Sequence, residues 1–275
     1  MMLGVERLIE QALVEDIHTG DITTRAVVPG MAGATARFIA KEPLVLAGID
    51  IAGMVFRKTD PGAVFTPYAS DGDRCGKGDV LATVTGQAAA LLMAERVSLN
   101  ILQRMCGVAT LTARYVEAVQ GTTARIVDTR KTTPGLREIE KYAVRVGGGI
   151  NHRTGLYDGV LIKENHIAAA GGITEAVRRA RAYIPHTLKI EIETETPEQV
   201  AEALAAGAEI IMLDNMDCDT MRRCVAMIAG RALVEASGGV NLDTVRAVAG
   251  TGVDIISVGA LTHSPRAMDI SMLLD

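Results

Sequence analysis

A chain of 275 residues is long enough for one large domain or for a barrel with a smaller appendage, and 48% hydrophobic against 22% charged residues argues against disorder. A formal net charge of −5 with no Trp and only three Phe excludes a basic, ring-lined surface for nucleic acid and requires an aliphatic core. No apolar run reaches the roughly 18 residues that cross a bilayer, and Met1 to Arg7 shows no basic region leading into an apolar one, so a cytoplasmic protein with no membrane partner is expected.

In chain order, Val5 to Glu15 reads as a helix, and with the turn-rich Asp16 to Asp21 it forms a cap or arm. Residues from about 25 to 85 carry strand-like runs, Arg37 to Gly48 and Val80 to Gly86, around the turn-rich Asp71 to Asp79. A long helical stretch follows from about Ala88 to Val119, with Leu91, Leu92, Val97, Leu99, Ile101 and Leu102 as its apolar contacts. The division that results is an N-terminal α+β, sandwich-like domain with its helical arm over residues 1–110, and a second domain over residues 111–275.

Six short β-rich runs then alternate with helical segments: Ala124 to Asp128, Gly159 to Ile162, Leu188 to Ile192, Glu209 to Leu213, Ala232 to Glu235 and Asp254 to Val258. One intervening helix is well marked, with Pro197 in its first turn and Gly207 past its end. Six strands fall short of the eight of a closed barrel, so the reading is α/β with an incomplete (β/α) barrel of about six parallel strands. An open doubly wound sheet has the same periodicity and stays as the alternative.

The strand ends hold residues that a barrel interior would not choose. Arg130, Lys131, Arg153 and Lys163 gather within forty residues of an acidic chain, as a trap for something strongly anionic. Arg137, Lys141 and Arg145, spaced by four, read instead as charges on a solvated helix face. Glu191 and Glu193 alternate onto one strand face, and Glu193, nearer the carboxyl end, is favoured for the site, leaving Glu191 as a structural partner for a buried cation. With Asp214, Glu193 can hold magnesium through water or stabilise a positive transition state. The runs Ser237-Gly238-Gly239 and Ser257-Val258-Gly259 end the last two strands and are read as backbone cradles for phosphate. His152 is weighed as an anion ligand or orienter ahead of a proton-transfer group, and His166 as either ligand or structural residue. The four cysteines form no C-x-x-C pair and read as buried free thiols.

Taken together, Asp128-Thr129-Arg130-Lys131-Thr132-Thr133-Pro134-Gly135, Gly147-Gly148-Gly149-Ile150-Asn151-His152-Arg153, Leu161-Ile162-Lys163-Glu164-Asn165-His166, Ile211-Met212-Leu213-Asp214-Asn215 and Glu235-Ala236-Ser237-Gly238-Gly239 resemble the quinolinate phosphoribosyltransferase family nearly end to end. The resemblance implies that quinolinate and phosphoribosyl pyrophosphate give nicotinate mononucleotide, pyrophosphate and CO2, with magnesium as cofactor. It implies Arg130, Arg153 and Lys163, with His152 close by, around the quinolinate carboxylates, Thr129 among the substrate-binding residues, and Lys131 serving either substrate. Lys131, Lys163, Glu193 and Asp214 carry the chemistry in that comparison, with Glu193 and Asp214 near ribose and metal, and Ser237, Gly238, Gly239, Ser257, Val258 and Gly259 take the 5′-phosphate. Arg96 resembles an arginine supplied by a second subunit, which implies a homodimer with a shared site, or a higher oligomer of such dimers. Glu164 stands where the family often has aspartate. Lys163 and the Asn151-His152-Arg153 triplet separate the chain from a molybdenum-transport-associated relative. A nicotinate phosphoribosyltransferase and a non-catalytic phosphate-sensing barrel are the other rival readings.

Overall fold

The computed structural model describes residues 3–30 and 32–275; Met1 and Met2 of the opening stretch lie outside them. The chain forms two compact units. One comprises the described residues through Ala113 together with Thr132–Gly148 and Thr262–Asp275; the other comprises Arg114–Lys131 and Gly149–Leu261.

In the first unit the helices are α1 (Leu3–Ile17), α2 (Ile22–Val27), α3 (Ile49–Thr59) and the start of α4 (Ala88–Ala118). Its strands are β1 (Gly33–Ala40), β2 (Leu44–Val45), β3 (Val64–Pro67), β4 (Arg74–Cys75) and β5 (Val80–Gln87). The arm is no loose appendage. Val5 and Ile9 of α1 are buried, α1 lies against α3 and the later helix α5 (Arg137–Val146), and the Gly4 amide donates to Glu138 Oε2 at 3.0 Å. All three phenylalanines of the chain meet in this unit: Phe38, Phe56 and Phe65 stand with ring centroids 5.7 to 6.0 Å apart. Such ring pairs add to simple area burial.

The second unit holds β6 (Arg125–Val127), β7 (Val160–Ile162), β8 (Ile190–Thr194), β9 (Ile210–Asp214), β10 (Leu233–Ser237) and β11 (Ile255–Ser257). Helices α6 (Glu164–Ala170), α7 (Ile173–Tyr183), α8 (Pro197–Ala205), α9 (Cys218–Ile228) and α10 (Val245–Ala249) connect these strands. Ile190, Ile192, Ile211, Leu213, Ala236 and Ile256 are fully enclosed, as strands covered on both faces must be. The helix starts are capped as their sequences require: Thr196 Oγ1 accepts the Gln199 amide, and Asp217 Oδ1 accepts the Thr220 amide.

Strand order distinguishes the barrel from the doubly wound alternative. The six strands pair in parallel as β6-β11-β10-β9-β8-β7. The first strand therefore joins the last, while the sequence neighbours β6 and β7 form the two free edges. That is a ring with one gap, the incomplete barrel expected from the sequence. After it, α11 (Ala260–His263) leads to β12 (Ile270–Leu274), which returns to the first unit and completes the antiparallel sheet β12-β1-β5-β3. Among the described residues no helix is long and apolar enough to cross a membrane.

One expectation about α5 is corrected. Arg145 is exposed, but Lys141 is only 2% exposed and belongs to the helix's inner face. Spacing by four sets the three cations in one stripe, but what packs against the helix, not the spacing, decides which of them is enclosed. Nearby, Arg104 of α4 ties the separate pieces of the first unit together. Its guanidinium donates to Glu140 Oε1 at 2.7 Å, Thr133 Oγ1 at 3.1 Å, and the carbonyls of Thr262 and Pro265. Glu140 is fully buried. Arg104→Met should therefore strand a buried carboxylate and lower unfolding free energy by about 3 to 5 kcal/mol in urea titrations. A loss below about 1 kcal/mol would show that this network is incidental.

Candidate active site

The carboxyl ends of the six strands surround a mouth of about 580 Å³, within the range of small-molecule sites. Its wall contains Thr129, Arg130 and Lys131 after β6, Lys163 after β7, Glu193 on β8, Asp214 on β9, Ser237, Gly238 and Gly239 at β10, and Ser257 on β11, with His152 and Arg153 alongside. Strand order sorts these groups by chemistry. Cations follow the two edge strands, carboxylates lie on β8, β9 and, at Glu235, β10, and the glycine turn ends β10.

The gap between β6 and β7 is occupied by an irregular segment that carries Arg153. Ile150 bridges to Val127 in parallel, its amide donating to the Ile126 carbonyl at 2.9 Å. Asp128, fully buried at the end of β6, then accepts the His152 amide at 2.9 Å and Asn151 Nδ2 at 2.6 Å. Beyond Arg153 the chain turns under Asp158, which accepts the amides of Thr154 and Gly155. The amides of Ile150, His152, Thr154 and Gly155 thus meet built-in partners, which is what holds an irregular segment in one place.

Arg153 donates Nη1 to the Gly159 carbonyl at 3.0 Å, while its buried Nε has no acceptor. Burial, and next the Arg130 guanidinium, hold Arg153 below the ordinary arginine value. Two guanidiniums in mutual repulsion, one with an unused buried N–H, make a receptor for a carboxylate. Lys163 Nζ sits 2.9 Å from Glu193 Oε2, half exposed, and its own amide donates to His166 Nδ1 at 3.0 Å. His166 thereby closes the first turn of α6 and is a structural residue here. Asp214 Oδ2 accepts Asn215 Nδ2 at 2.7 Å.

At β10 the turn is sterically committed to glycine. Gly238 has φ +92°, and a Cβ there would stand 2.1 Å from Asn215 Oδ1. Its neighbour Gly239, at φ +61°, opens onto space, so a ligand can approach the backbone closely there. The matching expectation at β11 is corrected for Val258. That residue is buried and its amide is already donated to the Val127 carbonyl at 3.0 Å, so it has no N–H for phosphate. Ser257 lines the mouth, and neither Val258 nor Gly259 does. Arg96 lies exposed on α4 in the first unit and is not among the residues lining the mouth.

Glu193 and Asp214 are half-buried carboxylates of one mouth, and hard oxygen donors of this kind fit magnesium bound largely through water. Sequence reasoning missed a deeper group. His152, Glu191 and Glu235 offer ligand atoms within 4.8 Å of one another, His152 Nε2 lying 3.0 Å from Glu191 Oε2. Burial, with the Glu191 carboxylate beside it, pushes the Glu235 carboxyl up to about 8. The signal available was Glu235 itself, an acid in the middle of an apolar run.

This barrel, with an anion-receiving mouth at the carboxyl ends of its strands, is a small-molecule-binding (β/α) protein of the kind that handles phosphorylated and carboxylated ligands. The sequence matches the family described as quinolinate phosphoribosyl transferase, N-terminal domain, over residues 21–106 and the corresponding C-terminal domain over residues 108–273. A probable nicotinate-nucleotide pyrophosphorylase (carboxylating) of Bacillus subtilis (strain 168) is 47% identical over 270 residues, which is 98% of this chain and 93% of that protein. Among solved structures, NadC from Streptococcus pyogenes is similar at TM-score 0.96 and 42% identity, covering 100% of this chain and 98% of that one. The nicotinate-nucleotide pyrophosphorylase from Francisella tularensis is similar at TM-score 0.96 and 38% identity, over 100% and 97%. The chain belongs to the quinolinate phosphoribosyltransferase family.

The buried carboxyl has a measurable consequence. An acid whose value is raised on folding holds its proton more tightly in the folded state, so its contribution is full below the ordinary 4.5 and is lost as pH rises towards about 8. Glu235→Gln removes that loss. The stability of the variant relative to the parent should therefore rise between about pH 5 and about pH 9 in denaturant titrations. A difference that stays constant across this range would contradict the protonated carboxyl.

Proposed function

We propose that the chain catalyses the reaction of quinolinate with phosphoribosyl pyrophosphate to give nicotinate mononucleotide, pyrophosphate and CO2, in the de novo synthesis of NAD. The observation that carries this reading is the sorting of the mouth: Arg130, Lys131, Arg153 and Lys163 flank the gap in the barrel, and the glycine turn lies at β10. A dicarboxylate needs the first arrangement and a 5′-phosphate the second. A monocarboxylate such as nicotinate would leave part of the cationic arc unmatched.

In this reading Thr129, Arg130, His152, Arg153 and Lys163 surround quinolinate, with the guanidiniums and the Lys163 ammonium on its carboxylates. Lys131 reaches whichever substrate brings the nearer anionic group. Ser237, Gly238, Gly239 and Ser257 receive the 5′-phosphate. Binding aligns the pyridine nitrogen with the anomeric carbon, which is the main part of the barrier that positioning can remove. As pyrophosphate departs, positive charge develops on the ribose, and Glu193 and Asp214 stabilise it. Glu193 and Asp214 would hold magnesium, which would supply neutralisation of the departing pyrophosphate. Once the nitrogen is quaternary, the adjacent carboxylate leaves as CO2, its bonding pair stays on the ring carbon beside the cationic nitrogen, and that carbon takes a proton.

The chain also acts as a homodimer in this reading, with Arg96 of a second copy completing the quinolinate side; its exposure on α4 supports that role. All four cysteines are free thiols, which supports a cytoplasmic location. The test supplies purified protein with phosphoribosyl pyrophosphate, magnesium and either quinolinate labelled in its 2-carboxylate or nicotinate. Equal amounts of nucleotide and labelled CO2 from quinolinate, with no nucleotide from nicotinate, are expected. Absence of product from quinolinate would overturn the proposal.

A further inference from the structure

Two carboxyls deep in the barrel remain without a role in binding or transfer. Glu191 lies on β8 one alternation below Glu193, and Glu235 lies on β10; they are 4% and 2% exposed. Both face one ring. Glu191 Oε2 stands 3.0 Å and Glu235 Oε2 3.8 Å from His152 Nε2, and the remaining oxygen of each acid, Oε1, is buried without a hydrogen-bond partner. Two adjacent acids buried in an apolar barrel are costly unless partners meet them.

The state of the ring follows from its other nitrogen. The backbone N–H of Arg153 lies 2.7 Å from His152 Nδ1, and an amide can only donate, so Nδ1 bears a lone pair. The single ring proton is therefore on Nε2 and is donated to Glu191. Glu235 Oε2, 3.8 Å from Nε2, closes the other side of the ring, and burial beside Glu191 raises its carboxyl. Glu191 Oε2 on one nitrogen and the Arg153 amide on the other thus fix the imidazole in a single tautomer, and its lone pair fixes the Arg153 backbone. That matters because the guanidinium is anchored through Nη1 on the Gly159 carbonyl, while its buried Nε has no acceptor.

We infer that Glu191 and Glu235 are positioning residues for the dicarboxylate side of the mouth, holding His152 as its Nε2–H tautomer so that Arg153 is presented to the ligand. The inference rests on the proposed function in naming that ligand as quinolinate; the claim about His152 does not. Glu191→Gln keeps a carbonyl oxygen that can accept the ring proton, whereas Glu191→Ala removes it.

Two readouts test the inference on the folded, full-length protein. The first is the ¹⁵N spectrum of the imidazoles, tractable with five histidines. The parent and Glu191→Gln should show His152 as the Nε2–H tautomer, and Glu191→Ala should show an averaged signal. The second is calorimetric binding. Glu191→Ala should weaken quinolinate by about tenfold and Glu191→Gln by less than about threefold, with phosphoribosyl pyrophosphate unchanged in both. An unaltered tautomer in Glu191→Ala overturns the inference whatever the ligand, and so does a changed tautomer with unchanged quinolinate affinity. Equal weakening of both substrates also overturns it, since that marks general structural damage. A parent protein that binds no quinolinate overturns the functional reading instead, and the tautomer alone then decides the role of Glu191.

Discussion

Asp128 and the unclosed edge of the barrel are the constraint on which the site depends. Six strands cannot complete the ring, so β6 and β7 each present an unpaired edge across a gap. Irregular chain fills that gap, and irregular chain inside a protein is stable only when its polar groups are met. Asp128 meets them by accepting from the His152 amide and Asn151, while Ile150 extends the β6 edge. The cations of the mouth hang on this arrangement: Arg130 and Lys131 follow Asp128 directly, Arg153 rides on the filling segment, and Lys163 ends the opposite edge strand.

A closed barrel would have strand on every side and one kind of wall. The gap gives this mouth two. On one arc the chain can place long cationic side chains without burying them in a ring of strands; on the other, regular strands end in carboxylates and in a glycine turn that a ligand can approach closely. The bland roles of His166 and Asn215 belong to the same logic. His166 accepts the Lys163 amide at the start of α6, and Asn215 occupies the volume that a side chain at position 238 would need. Neither has to touch a ligand to shape where one can sit.

Much of this was legible from local pattern. The six β-rich runs coincide with the six strands of the second unit, and the helix beginning at Pro197 is present with its cap at Thr196. Of the strand-end residues, Thr129, Arg130, Lys131, Lys163, Glu193, Asp214, Ser237 and Ser257 line one mouth. What could not be read is long-range. The return of β12 to β1, and the burial of Lys141, depend on chain segments far away in sequence. Val258 shows the same limit, because whether its amide is available depends on Val127, 131 positions earlier. Glu191 and Glu193 illustrate depth: alternation correctly placed both on one face, but only the fold shows that one meets Lys163 at the surface and the other meets His152 in the interior.

The division of the mouth into a cationic arc for carboxylates and a glycine arc for phosphate is the central claim, and a crystal structure with quinolinate alone tests it most directly. The account places both carboxylates against Arg130, Arg153 and Lys163, with the glycine turn left to solvent. Quinolinate seated instead on Ser237, Gly238 and Gly239, with Arg153 Nε still unpartnered, would contradict it.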